Sequence, residues 1–263
     1  MKQPPNLRPV LWQRTLAKVT FAFLVIGVWQ GVVQMRFVPD YLFPGPFAVL
    51  QRLLEMAADG TLLTSIQASM RRMIIGYAIS VVGGLTIGVL AARSWLFKET
   101  FGSLILALQS LPSICWLPLA LIWVGLDERA VLFVVVLGAL FSIATSTEGA
   151  IRNIPPIYTK VGLVLGARGF RFARDILFFA ALPELIGGLK IGWTFAWRSL
   201  MAAELIRANI KGVGHILEVG RNYNDSAMML AGMMTILGIS LTVDVLVFGN
   251  LERRVRRRYG LEK

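Results

Sequence analysis

Six blocks of apolar residues punctuate the chain, at 16–35, 73–92, 101–124, 130–147, 176–203 and 226–250, with short polar or basic stretches between them. Each is near or above the ~20 residues that a helix needs to cross ~30 Å of hydrocarbon. The pattern predicts an all-α integral membrane protein of about six transmembrane helices. The blocks use most of the 263 residues, so 1–263 reads as one membrane domain with short loops. Segment 47–58 has helical periodicity, with apolar Phe47, Leu50, Leu53, Leu54 and Ala57. It is too short and polar to span, and is expected to lie at the outer surface between the turn-rich Tyr41–Pro46 stretch and the stop at Asp59-Gly60.

Composition agrees: 56% of residues are hydrophobic and 16% charged, against about 25% charged in soluble domains. Block 16–35 follows Lys2, Arg8, Arg14 and Lys18, as a signal sequence would. Its apolar run is long for one, and Gln34-Met35-Arg36-Phe37 is no small-residue cleavage site. It reads as a retained span with its N-terminus in the cytoplasm.

With that orientation, 17 of the lysines and arginines fall in cytoplasmic segments, from Lys2 and Arg8 to the Arg253–Arg258 cluster and Lys263, against 8 outside, including Arg52, Arg71, Arg72 and Arg207. This is the positive-inside asymmetry, and six spans return the C-terminus to the cytoplasm. The net charge of +12 is then a topology signal and an attraction for anionic lipid. Basic residues scattered among spans, without an aromatic-rich motif, exclude a nucleic-acid reading. Cys115 is alone within an apolar block and reads as a packing residue. His215 is the one histidine and reads as a loop residue. There is no G-x-x-x-x-G-K-[ST] motif, so ATP-driven work would need a separate ATPase.

Irregularities within the blocks carry the chemistry. Gly76, Gly83, Gly84 and Gly88 in the second span suit close helix packing. Pro112 and Pro118 interrupt the third span, and the freed carbonyls must be satisfied by protein or by a water-filled cavity. A packing kink and a substrate pathway are both compatible with that. In the fifth block Lys190 and Arg198 stand eight residues apart, about 12 Å along one face of a helix, with Thr194, Trp197 and Met201 near that side. Lys190 is close enough to the end to snorkel. Arg198 is deeper, and a charge there needs a reason. It either pairs with Asp244 or Glu204, or offers a cation to an anionic substrate.

The order of these features resembles the inner-membrane permease subunit of ATP-binding-cassette importers, in the nitrate/sulfonate/taurine branch of the binding-protein-dependent type. The resemblance runs from about Leu42 to Arg221. It is carried by Leu42-Phe43-Pro44-Gly45-Pro46, by Ser69-Met70-Arg71-Arg72 with Gly76, and by Leu111-Pro112-Ser113-Ile114 through Leu117-Pro118-Leu119 and Trp123-Val124-Gly125-Leu126. Gly166-Ala167, Leu182-Pro183, Gly188 and Trp197 to Ala203-Glu204 complete it. Two departures stand out. Lys160-Val161-Gly162 occupies the places where the family usually has Glu-Ala-Ala, and Phe179 stands at the first of the two later prolines, with Pro183 at the second.

The resemblance implies a type I importer permease fold with a cytoplasmic coupling loop at about 148–175. A short helix at 155–166 would dock on the ATPase, with Pro155, Tyr158, Lys160, Gly162, Gly166, Ala167 and Arg168 as coupling residues. It further implies a pathway involving Pro112, Pro118, Trp197, Arg198, Met201 and Glu204. The implied partners are two ATPase copies, a second permease copy (a homodimer being simplest), an extracytoplasmic solute-binding protein and the bilayer of a bacterial inner membrane. No cofactor would be bound by this chain, since ATP-Mg belongs to the ATPase. The implied solutes are nitrate, sulfonates, taurine or bicarbonate, or a thiamine-pyrimidine or flavin precursor. A gradient-driven transporter would want paired midplane carboxylates, for which Asp244 is the candidate. A membrane enzyme would want clustered His, Asp or Glu at one depth.

Overall fold

The computed structural model describes residues 11–207 and 210–259, and among them there are helices and no strands. The principal elements are α1 (Leu11–Gln34), α2 (Pro46–Ala58), α3 (Thr61–Arg93), α4 (Trp95–Ser110), α5 (Ser113–Val124), α6 (Glu128–Arg152), α7 (Pro156–Val164), α8 (Ala173–Ile206), α9 (Val213–Asn222) and α10 (Ser226–Arg258). Five are long and apolar enough to cross a membrane, and α4 with α5 makes a sixth crossing if counted together. Lys2, Arg8 and Lys263, which entered the charge asymmetry, lie outside the described residues.

The core is where α6 packs between α3 and α8. Met73, Val131, Val134, Val135, Ile143, Ala196 and Leu200 are buried there. Glycines permit the approach: a Cβ on Gly84 would stand 2.7 Å from Ile143 of α6, and one on Gly76 would stand 2.7 Å from Val135. Lipid gives helices no hydrophobic reason to associate, so close backbone contact of this kind holds the bundle. By contrast, α1 keeps Phe21, Phe23, Leu24 and Val28 exposed, a surface suited to hydrocarbon. It is tied to the following turn by Trp29 Nε1 donating to the Pro44 carbonyl at 3.2 Å.

The third block is not one kinked span. Its two halves meet at 97°. Leu111 and Pro112 are both extended, with ψ of 128° and 126°. A proline disfavours helix at the preceding residue and offers no N–H of its own, and here it ends α4 outright. Pro118 does nothing comparable, because it sits in the first turn of the α-helical part of α5, where a missing N–H is tolerated. Pro183 lies inside α8 and cannot bond the Phe179 carbonyl one turn back. The hydroxyl of Tyr259 donates to that carbonyl instead, at 2.6 Å.

The structure adds a buried face to α2 and corrects the packing role expected of Cys115. Helix α2 buries Val49 and Met56, with Leu53 partly buried, against Ile216, Met228 and Ala231, while Phe47, Leu50 and Leu54 stay exposed. Arg52 pairs with Asp225 at 2.9 Å across the same contact. Cys115 is exposed at the break between α4 and α5, not packed within a span. Before α3, the Thr61 N–H donates to Asp59 at 2.8 Å and holds that carboxyl below its ordinary range.

Candidate functional site

A cavity of about 330 Å³ opens beside the break between α4 and α5, room for on the order of ten waters. Gln109, Pro112, Ser113, Gly138, Phe195 and Arg198 are among its lining residues, and Arg198 supplies the only charge among them. Ser199 Oγ donates to the Phe195 carbonyl at 2.7 Å and lies 2.6 Å from Ser113 Oγ. Since the Ser199 proton is engaged, Ser113 is the donor in the second bond. The break is thereby pinned to α8 directly beside Arg198.

Arg198 pairs with neither of its two candidate partners, and among the described residues no carboxylate lies within ion-pair distance of it. Asp244 is held by Lys190 at 2.6 Å, so Lys190 joins α8 to α10 and does not simply snorkel. Glu204 is held by Arg72 at 2.7 Å. The cavity therefore has a cation at its wall with no acid to neutralise it.

Glu204 lies in a network that extends well beyond Arg72. It is 0% exposed and Arg72 is 3% exposed. The Ser69 hydroxyl is 2.8 Å from Glu204 Oε2, and the Gly214 N–H donates to that oxygen at 3.0 Å. Arg72 also donates to the Lys211 carbonyl at 2.7 Å and to Glu128 at 2.9 Å. Val213 N–H donates to Ser69 Oγ at 2.9 Å. An ionised carboxylate out of water needs this many partners to remain charged. Arg207 donates to the Leu126 and Asp127 carbonyls close by. Thus α3, α8, the start of α6 and the segment leading into α9 are joined at one end of the bundle.

Of the six residues expected on a pathway, Pro112 and Arg198 meet at the cavity. Pro118, Trp197, Met201 and Glu204 are not among its lining residues, and Trp197 and Glu204 are buried in the packed interior. On α8 the helix face explains the split, since Phe195, Arg198 and Ala202 line the cavity while Trp197, Met201 and Glu204 do not; Pro118 lies on α5, in its first α-helical turn. Arg72, counted as an outer-loop cation, is an interior residue of α3. The Ser69-x-x-Arg72 spacing was the available signal: three residues apart on a helix, both side chains reach the same carboxylate. His215 is likewise no free loop residue, since its Nδ1 is 2.8 Å from Glu218.

At the other end, α7 is the short helix expected at 155–166. Pro155 and Pro156 start it. Gly166 has φ +73°, its N–H donates to Leu163 O, and the Ala167 N–H donates to Gly162 O, both at 3.0 Å. That paired closure with a left-handed glycine is a Schellman stop. Gly162 is buried, and a Cβ there would strike Phe172 and Ile176, so the helix lies directly on the start of α8. Tyr158, Lys160 and Arg168 are exposed.

The comparisons with known proteins fit this geometry. The family model described as "Binding-protein-dependent transport system inner membrane component" matches residues 84–258. The taurine transport system permease protein TauC of Escherichia coli is 27% identical over 257 residues, covering 96% of this chain and 92% of that protein. A putative aliphatic sulfonates transport permease protein, SsuC of Bacillus subtilis, is 25% identical, covering 94% and 88%. The nitrate import permease protein NrtB of Leptolyngbya laminosa is 24% identical, covering 89% and 86%. Among solved structures, an inward-facing MetNI methionine ABC transporter aligns with a TM-score of 0.64 at 20% identity, over 76% of this chain and 98% of that one; at that identity it speaks for the fold alone. The chain belongs to the family of binding-protein-dependent inner-membrane transport components, as a multi-pass permease subunit of an ABC importer.

Proposed function

We propose that this permease passes a small anionic solute of the nitrate, sulfonate, taurine or bicarbonate class, and that Arg198 is the cation the solute meets. The observation that carries this reading is Arg198 at a cavity wall with no acidic lining residue, in a helix where an unpaired charge is costly. The relatives' names point the same way: taurine, aliphatic sulfonates and nitrate are small solutes that carry an anionic oxygen group.

In the proposed arrangement two copies of the chain form the pathway at their interface. Both termini and α7 face the cytoplasm, where α7 docks on one of two ATPase copies that bind ATP-Mg. This chain itself is non-catalytic. A binding protein delivers solute from outside. Closure of the ATPase pair moves α7 and rocks the spans between two packed states, the energy coming from ATP's unequal stabilisation of those states. Asp244 is tied to Lys190 and Glu204 to Arg72. Neither is a free proton carrier, which weighs against gradient-driven transport.

The test is uptake by cells carrying the intact system, offered taurine, an alkanesulfonate, nitrate, bicarbonate and a thiamine-pyrimidine precursor in turn. Uptake of one of the anions that requires cellular ATP and survives a protonophore is expected. Uptake of the neutral or cationic compound alone, or loss with the protonophore at constant ATP, would overturn the reading.

A further inference from the structure

The end of the bundle that carries α7 is apolar at its tip and basic around it. Val164 is 86% exposed and Leu165 76% exposed, and Ile157 and Val161 are exposed on the same side. Positions i, i+4, i+7 and i+8 make one helical stripe. Lys160, Arg168 and Arg171 surround it, all exposed. Among the described residues none of the three has a carboxylate within ion-pair distance; Asp175 is taken by Arg174 at 2.7 Å, with Arg171 acting on it only through space. The tip is also held rigidly, by Gly162 against Phe172 and Ile176 and by the closure at Gly166.

We infer that the ATPase recognised by this chain presents carboxylates around an apolar groove, so that Lys160, Arg168 and Arg171 select it by charge while Val164 and Leu165 fill the groove. The inference rests on the proposed docking of α7. An apolar stripe read at i, i+4 and i+7 is how a helix seats in a groove, and unpaired cations beside it set which groove is accepted and how fast it is found. Anionic lipid would also attract such charges. The nine-residue helix is seated through the buried Gly162 on Phe172 and Ile176. Its fixed attachment to α8 suits a shaped protein partner.

The experiment is retention of the co-expressed ATPase by tagged full-length permease, at 50 and 300 mM NaCl, in detergent and in nanodiscs of phosphatidylcholine alone or with phosphatidylglycerol. Wild type is compared with the Lys160→Glu/Arg168→Glu/Arg171→Glu triple variant, the matching triple change to Gln, and the Val164→Asp/Leu165→Asp double variant. Each must elute from a sizing column as wild type does; the Gln triple variant decides the matter if charge reversal prevents folding.

Retention is expected to fall about tenfold or more on reversal at low salt, in line with loss and inversion of three interfacial charges. The Gln triple variant should fall less and lose its salt dependence. The apolar double variant should lose the ATPase at both salts. Wild-type retention by the reversed variant, with loss by the apolar variant, would overturn charge selection and leave docking intact. Retention by the apolar variant would instead remove the docking reading. Retention that depends on phosphatidylglycerol, and vanishes in phosphatidylcholine, would assign the cations to lipid and overturn the inference.

Discussion

Glu204 and Arg198 stand six residues apart on α8, and their surroundings are opposite. Glu204 is fully buried and held by Arg72, Ser69 and the Gly214 N–H. Arg198 looks into a cavity with no acid on its wall. Both charges are unexpected in an apolar helix. The satisfied one ties four segments of the bundle together. The unsatisfied one has no structural task to explain it. In a membrane, then, the useful question about a charge is not its depth but whether the fold has already neutralised it.

The comparison breaks most visibly at Arg72. Its replacement by Ala leaves Glu204 buried without a counter-charge, a change that costs about 3–5 kcal/mol. Little folded protein should survive detergent extraction, as read by a thermal unfolding scan. Replacing both charges with apolar residues, Arg72→Met with Glu204→Leu, should recover much of the loss, because what is costly is one partner left alone. An unchanged unfolding temperature in the Arg72→Ala variant would mean that the network is not what joins that end of the bundle.

Arg198→Gln sharpens the other side. Stability should stay within about 0.5 kcal/mol of wild type, as for an exposed residue with no partner, and the ATPase should still co-purify. Uptake of the anion should fall at least about tenfold, since a charge-assisted contact contributes roughly 1.5–3 kcal/mol. A variant that unfolds, or one that transports normally, would erase the distinction between the two sites.

Smaller effects test the remaining polar contacts. Tyr259→Phe removes the donor to the Phe179 carbonyl that Pro183 leaves unbonded, and should cost about 1 kcal/mol. The additional change Pro183→Ala, which restores a backbone N–H, should abolish that sensitivity. Asp244→Asn breaks a pair whose side chains are 47% and 37% exposed. The pair is not enclosed by the chain's own packing, and uptake should remain insensitive to a protonophore.

The spans were legible in the sequence because hydrocarbon demands long apolar runs whatever the fold, and the stop at Gly166 because few residues other than glycine take a left-handed backbone. The behaviour of the prolines was not. Pro112 and Pro118 look alike in sequence, yet one ends a helix and the other begins one, a difference set by the register of the helix around each. Arg72 was misplaced because it stands just before an apolar block, and counting alone cannot tell a loop cation from one folded inward. Its partner Glu204 is 132 residues away, and Lys190 and Asp244 are brought together only by the packing of α8 on α10. The buried face of α2 was also hidden: with apolar residues on more than one side, the contact with α9 and α10 decides which are covered.

The most direct test of an unpaired pathway cation is to remove that charge and restore it chemically. Arg198→Cys, in a Cys115→Ser background, would be treated with a cationic aminoethyl or an anionic sulfonatoethyl methanethiosulfonate, and anion uptake measured. The account predicts that the cysteine reacts, that excess solute slows the reaction, and that the cationic adduct regains uptake while the anionic one does not. An unreactive cysteine, or uptake indifferent to the sign of the adduct, would contradict it.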